Sequence, residues 1–274
     1  DLRQMVELVE RGDLQSLDHL VALLHAHDLA KLFVVLPRAL WPDVIARLDI
    51  GRISDLMEEL PDHLRDDLAE HLLHEQLRTA IGEMASDDAA DVLADLPAAL
   101  ARDLIEALPR QDRREVEALL KYPEDSAGGL MQLELLAVPD THTVADAIET
   151  VRANADEVST FHFVYVVDDR HRLVGILDLG ALLLAPPQQP IAELMKHDVH
   201  TVGPEVDQEQ VARLFRRYDL VALPVVDSRG RLLGRLLHDD VVDVLAEEAD
   251  EDMMHMAGAA VFQQVVDLPA DRSF

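Results

Sequence analysis

VYVVDDRHRLVGIL at residues 164–177 and LPVVDSRGRLLGRL at residues 223–236 align without a gap, 59 residues apart. Each opens on an apolar run, crosses a charged turn (DDRHR or DSRGR) and resumes as a second apolar run with a glycine in it, Gly175 or Gly234. Short β-branched runs separated by polar turn residues read as a buried strand, a turn and a second strand. Upstream of each pair lies an amphipathic helix candidate, THTVADAIETVRAN at 141–154 and VDQEQVARLFRRYD at 206–219. The first copy carries an extra stretch, ADEVSTFHF, between its helix and its strand. The pattern predicts a tandem α/β pair, with copies over 137–196 and 197–246.

The preceding half carries a different and shorter repeat. Leu24, Leu36, Leu48, Leu60, Leu72, Met84, Leu96, Leu108 and Leu120 fall every twelve residues. Four positions before them sit Leu20, Leu32, Val44, Leu56, Leu68, Ala80, Val92, Leu104 and Val116, all apolar, and Pro37, Pro61, Pro97 and Pro109 follow the anchor in four units. A Leu-Pro boundary followed by apolar residues at i and i+4 is one short helix per unit. Paired units make αα-hairpins that bury their stripes only by stacking, so residues 1–122 predict a right- or left-wound superhelix of short helical hairpins. In MASDDAADVLAD at 84–95, Ser86 reads as an N-cap with Asp87 and Asp88 in the first turn, where acids are favoured. Asp88 and Asp91 read either as such helix-start acids or as metal ligands on one acidic edge. Between the halves, KYPEDSAGGLM at 121–131 breaks the twelve-residue grid with Pro123, Gly128 and Gly129, and residues 123–136 read as a hinge.

Downstream of the pair comes HDDVVDVLAEEADEDMMHM at 238–256, apolar on one helical face and acidic elsewhere, with no Lys or Arg. Asp239/Asp243, Asp243/Glu247, Glu247/Glu251 and Glu248/Asp252 would be like-charged neighbours on a helix, each pair unfavourable by a few tenths of a kcal/mol. Something positive is missing, and a divalent cation is the first candidate. The whole chain has 54 acidic against 24 basic residues, a formal charge of −30 over 274 residues. That charge repels nucleic acid and anionic membrane surfaces. Cysteine is absent, which removes disulfides and thiolate chemistry. No apolar run approaches 18 residues, so neither a signal peptide nor a membrane span is expected. No nucleophile motif, catalytic dyad or glycine-rich phosphate loop supports an enzyme.

The tandem pair resembles a pair of CBS modules. In that family a glycine–apolar–apolar–Thr/Ser–x–x–Asp motif after the second strand holds a nucleotide. Here Gly234 and Asp240 fit, but Leu237 stands at the hydroxyl position; in the first copy Asp178 stands there and Ala181 replaces the acid. Both departures argue against ATP or AMP binding. The full order of helical array, YPEDSAGGLM hinge, CBS pair and EEADEDMMHMAG closely resembles the cytosolic region of MgtE-type magnesium channels, over roughly residues 20–258.

That resemblance implies a multidomain fold, α plus α/β: helical N-domain, tandem CBS pair, then an acidic plug or connecting helix and tail over 247–274. It also implies a homodimer through the CBS domains, at the cytoplasmic face of a membrane, regulating a transmembrane pore domain that this chain lacks. Mg2+ would bridge N-domain, CBS pair and plug to favour a compact, closed state. By position the implied ligands are Asp88 and Asp91 on the N-domain and Gly129 at the hinge. Asp207, Glu209, Asp219, Asp240 and Asp243 follow in the CBS pair, and Glu248, Glu251 and Asp252 on the plug. Ala85 and Ser86 depart from the family's acidic-proline start to the Asp88 helix. Mg2+ keeps most of its waters and takes one or two carboxylates directly, so scattered acids suit it better than an EF-hand cage. The competing reading is a nucleotide-sensing CBS regulator of another transporter or enzyme, which the Leu237 and Asp178 positions disfavour.

Overall fold

The computed structural model describes residues 6–9, 11, 14–154 and 162–242, and the chain divides into two units, Asp1–Glu124 and Asp125–Phe274. Among the described residues the first unit is built from short helices: α1 Leu14–Leu23, α2 Ala26–Val35, α3 Trp41–Ile45, α4 Ile50–Glu59, α5 Asp62–Glu70, α6 His74–Ile81, α7 Ser86–Asp95, α8 Ala98–Ala107 and α9 Arg110–Leu119. Their ends follow from the Leu-Pro steps. Leu36, Leu60, Leu96 and Leu108 are the C-caps of α2, α4, α7 and α8, all in extended backbone. A following proline disfavours helical geometry at the residue before it, so each Leu-Pro pair stops one helix and begins the next.

The twelve-residue grid has an inner and an outer position. Leu32, Val44, Leu56, Leu68, Ala80, Val92, Leu104 and Val116 are each at most 2% exposed. The anchors are more variable, from Leu60 at 1% to Leu120 at 41%. The mid-helix position carries the core, because it faces inward whatever the helix end does. α2, α4 and α6 pack in one series and α5, α7 and α9 in another, with α4 against α7. Two grid-related arginines close helix ends: Arg65 donates to the carbonyls of Met57, Glu58 and Leu60, and Arg113 to those of Ile105, Glu106 and Leu108.

Ser86 departs from expectation. Ala85 occupies the cap of α7, and Ser86 is its first helical residue, buried at 4%. The grid decides this, since helices α5, α7, α8 and α9 all start two residues after the anchor, leaving the cap one residue after it.

In the second unit the 59-residue repeat is exact in register. β2 Phe163–Val167 pairs antiparallel with β3 Leu173–Asp178, as β4 Ala222–Val226 does with β5 Leu232–Leu237, and both pairs shift register at the equivalent step, Val166/Val167 and Val225/Val226. β1 Ala137–Pro139 lies parallel to β2, and its counterpart is a single parallel bridge, Val202 to Val225. Helices α10 Val144–Ala153, α11 Leu179–Leu184 and α12 Gln208–Tyr218 complete the copies, with a helical turn from 238 to 242 after β5. The charged turns are equivalent too. Asp168 accepts from the amides of Arg170 and Arg172, Asp227 from those of Arg229 and Arg231. The left-handed position is His171 in one turn and Gly230 in the other, at φ 61° and 76°.

The hairpins meet through an Arg172–Arg231 bridge, and Tyr165, Val167 and Leu232 form a small shared core. A second repeat was not evident from the strands: Leu130-Met131 and Leu194-Met195 recur 64 residues apart, each against the glycine of a hairpin.

Candidate metal centre

One group of carboxylates in the helical unit meets an environment opposite to that of the acids expected in the second unit. On α4 and α7 they crowd one another. Glu58 is half-buried and accepts from the Ser54 hydroxyl at 3.4 Å, yet it is pushed up to about 7 by burial first, then by Asp88 and Asp55. Asp91 is likewise raised to about 7: burial dominates, Glu124 adds repulsion, Arg65 opposes it, and Asp88 and Asp95 add more. Arg65 itself is 12% exposed and held by Asp95 at 2.6 Å and Asp62 at 3.2 Å, so its charge is shared among several acids. Asp88 is half-buried in the first turn of α7 beside the buried Asp87.

Of the acids expected in this unit, Asp88 and Asp91 therefore fall in one cluster. Glu58 is its unforeseen member. It lies on a different helix about thirty residues away, and no spacing rule joins the two.

In the second unit the expected acids have local structural duties. Asp207 caps α12, accepting from the Glu209 amide at 2.9 Å, and Glu209 pairs with Arg213 at 2.8 Å. Asp219 is the left-handed C-cap of α12, at φ 52°. Asp240 accepts from the Leu237 amide at 3.2 Å, bracing the start of the helical turn at 238–242. Gly129 is buried, and its amide donates to the Ser126 carbonyl and hydroxyl at 3.0 and 3.2 Å. Asp243, Glu248, Glu251 and Asp252 lie outside the described residues. Among the described residues no three His, Asp or Glu side chains converge tightly enough to hold an ion by themselves. None of the described helices is long and apolar enough to cross a membrane.

At the nucleotide motif, Asp178 is the N-cap of α11, accepting from the Gly180 amide at 2.9 Å, with the Lys196 ammonium 4.0 Å away. Leu237 is 4% exposed, and Asp240 has taken its amide. Each position where a phosphate-binding hydroxyl would stand is committed to packing or to a helix start.

Comparison with known proteins gives the same two halves. The MgtE intracellular N domain matches residues 4–125, and the CBS domain matches 127–187 and 191–247. The magnesium transporter MgtE of Thermus thermophilus is 37% identical over 92% of this chain and 57% of its own length. That of Bacillus subtilis is 28% identical over 93% of this chain and 57% of its own length. The chain thus spans little more than half of these relatives. Among solved structures, the cytosolic domain of the Mg2+ channel MgtE in complex with ATP matches with a TM-score of 0.82 at 35% identity, covering 89% of this chain and all of that one. The soluble part of a magnesium transporter matches with a TM-score of 0.76 at 26% identity, covering 90% and 98%.

Proposed function

The chain belongs to the MgtE family of magnesium transporters, and from that premise we propose that it is the Mg2+-sensing regulatory region of such a transporter, at the cytoplasmic face of the membrane. The observation that carries this reading is the crowding around Glu58 and Asp91. Two carboxylates raised to about 7 are unfavourable as anions at neutral pH, and a divalent cation relieves both burial and repulsion at once.

Mg2+ would enter with most of its water, using one or two carboxylates at each point, which suits a surface without a preformed cage. In this reading Asp88 and Asp91, joined by Glu58, supply one side of ion-bridged contacts. Gly129, Asp207, Glu209, Asp219 and Asp240 belong to the second unit's side, and Asp243, Glu248, Glu251 and Asp252 to the segment that follows. Ion binding favours the compact, closed state of a pore domain outside this chain. A second copy of the chain is the expected partner, and Leu183 and Leu184 at 72% and 89% exposure on α11 support an apolar contact there.

A site with Kd near ~1 mM contributes only about 1.4 kcal/mol at ten times that concentration, so several sites must act together. Mg2+ titration, followed by thermal melting and small-angle scattering with KCl matched for ionic strength, tests the reading. Compaction and stabilisation by Mg2+ beyond the KCl control are expected; equal effects of both salts would reduce the acids to a solvated surface.

The nucleotide reading has one observation in its favour, a 35% identical relative solved in complex with ATP. Against it stand Asp178 as a helix cap and the buried Leu237.

A further inference from the structure

Residues 125–132 precede the first CBS copy in sequence, yet their backbone hydrogen bonds beyond the segment itself go to the second. The Asp125 carbonyl accepts from the Gln208 amide at 2.9 Å; the Ala127 amide donates to Val206 at 2.7 Å and that of Gly128 to Pro204 at 2.8 Å. Gln132 exchanges both backbone bonds with Arg235 on β5, at 2.8 and 2.9 Å, and its side-chain oxygen accepts from the buried Arg235 guanidinium at 3.3 Å.

The first copy has the same closure from its own downstream chain. The Gln189 carbonyl accepts from Val144 at 2.9 Å, and Lys196 exchanges both bonds with Ile176 at 2.9 and 3.0 Å. The two contacts are also equally tight. A Cβ on Gly234 would meet the Gln132 carbonyl at 2.7 Å and Met131 sulfur at 2.9 Å; on Gly175 it would meet the Lys196 carbonyl and Met195 sulfur, both at 2.8 Å.

We infer that the second CBS copy is a discontinuous folding unit, closed by residues 125–132, so that lifting this connector from β5 and opening the second copy are a single event that leaves the first copy intact. The geometry allows little slack. One peptide step separates Glu124, the last residue of the helical unit, from Asp125 with its hydrogen-bonded carbonyl, and three separate it from Ala127, a reach of at most about 11 Å. A larger displacement of Glu124 must pull on the connector, and through it on β5 and the helical turn that leaves β5 at 238. The regulatory use of this link rests on the magnesium reading above; the link itself does not.

Amide exchange of the 274-residue chain without added Mg2+ tests the link apart from that reading. Gly234→Ala forces a backbone contact apart, and such overpacking should speed exchange about tenfold or more at Ala127, Gly128, Gln132, Gln208 and Arg235 together. Val144, Ile176 and Lys196 should keep their wild-type rates, and Gly175→Ala should give the converse pattern. Gln132→Pro removes one connector donor and the side-chain acceptor of the Arg235 guanidinium while leaving the hairpin's own sequence unchanged, and decides the matter if Gly234→Ala does not fold. It should speed exchange at Arg235 and Gln208 and spare Ile176. Loosening of both copies by either variant, or connector amides that exchange independently of Gln208 and Arg235, would overturn the proposal.

Discussion

A group of acids in the helical array and a group in the CBS pair are used in opposite ways. In the pair, Asp168, Asp207, Asp227 and Asp240 each accept backbone amide bonds, and Asp168 is held down at about 2, first by the Arg172 amide and then by its guanidinium. In the array, Glu58 and Asp91 are half-buried near other acids and are pushed up to about 7. One set of carboxylates stabilises its fold as anions; the other destabilises it. A composition of −30 is blind to this distinction. The difference lies in whether a carboxylate meets amides or other carboxylates.

The pH dependence of the two units is the sharpest way to separate them. For Glu58 and Asp91 the folded pKa lies above the ordinary value, so the native state binds more protons between about 4 and 7. Their contribution is greatest below that window, and stability falls as pH rises through it, by on the order of 2–3 kcal/mol after discounting solvent screening. Trp41 is the chain's single tryptophan and is fully buried in the array, so its fluorescence follows this unit in urea melts. Asp168 and Asp227 act in the reverse sense: their stabilisation is present above the ordinary carboxylate range and fades as pH falls toward about 2 for Asp168. A Trp41 unfolding midpoint that stays flat from pH 4.5 to 7.5 would remove the contrast.

Substitution should sharpen it. Without Mg2+ at pH 7.5, Asp91→Asn or Glu58→Gln should raise the array's stability by about 1–2 kcal/mol, because an unfavourable charge is deleted. Each variant should also give a smaller stabilisation on Mg2+ addition than the wild type, measured by the same Trp41 melts.

Removing a cap in the pair should do the opposite. In the absence of metal, Asp207→Ala or Asp240→Ala is expected to lower stability by about 1 kcal/mol, as loss of a side-chain acceptor at a helix start usually does. Thermal melts of the two variants in EDTA are sufficient; an increase in stability would place these acids with Glu58 and Asp91. The smallest effect is expected for ATP. With Leu237 and Asp178 at the hydroxyl positions, calorimetry should detect no binding in the low-micromolar range, and a well-defined heat there would reverse that assignment.

The acidic cluster of the helical unit was only partly legible. Asp88 and Asp91 stand out in sequence as an acidic edge four residues deep into the grid, and the fold puts them in one cluster with Glu58. Asp207, Glu209, Asp219 and Asp240 came from the family resemblance, and their structural duties are local: Asp207 and Asp240 bond amides two or three residues away, and Glu209 pairs with Arg213. Such duties do not conflict with a weakly held, hydrated ion, since a carboxylate has two oxygens and several lone pairs.

What the sequence determined by itself is what repeats along it. The twelve-residue grid specifies helix starts and stops because proline and the i, i+4 stripe act within one turn of chain. The 59-residue repeat specifies both hairpins, down to the equivalent register shift, because a turn and its two strands are local. Tertiary structure decided what depends on residues far apart meeting. It brought Glu58 from α4 to Asp88 and Asp91 on α7, where burial and the neighbouring acids raise the proton affinity of Glu58 and Asp91. It also gave the connector at 125–132 to the second copy, where Asp125, Ala127 and Gly128 bond the segment before α12 and Gln132 pairs with the edge of β5.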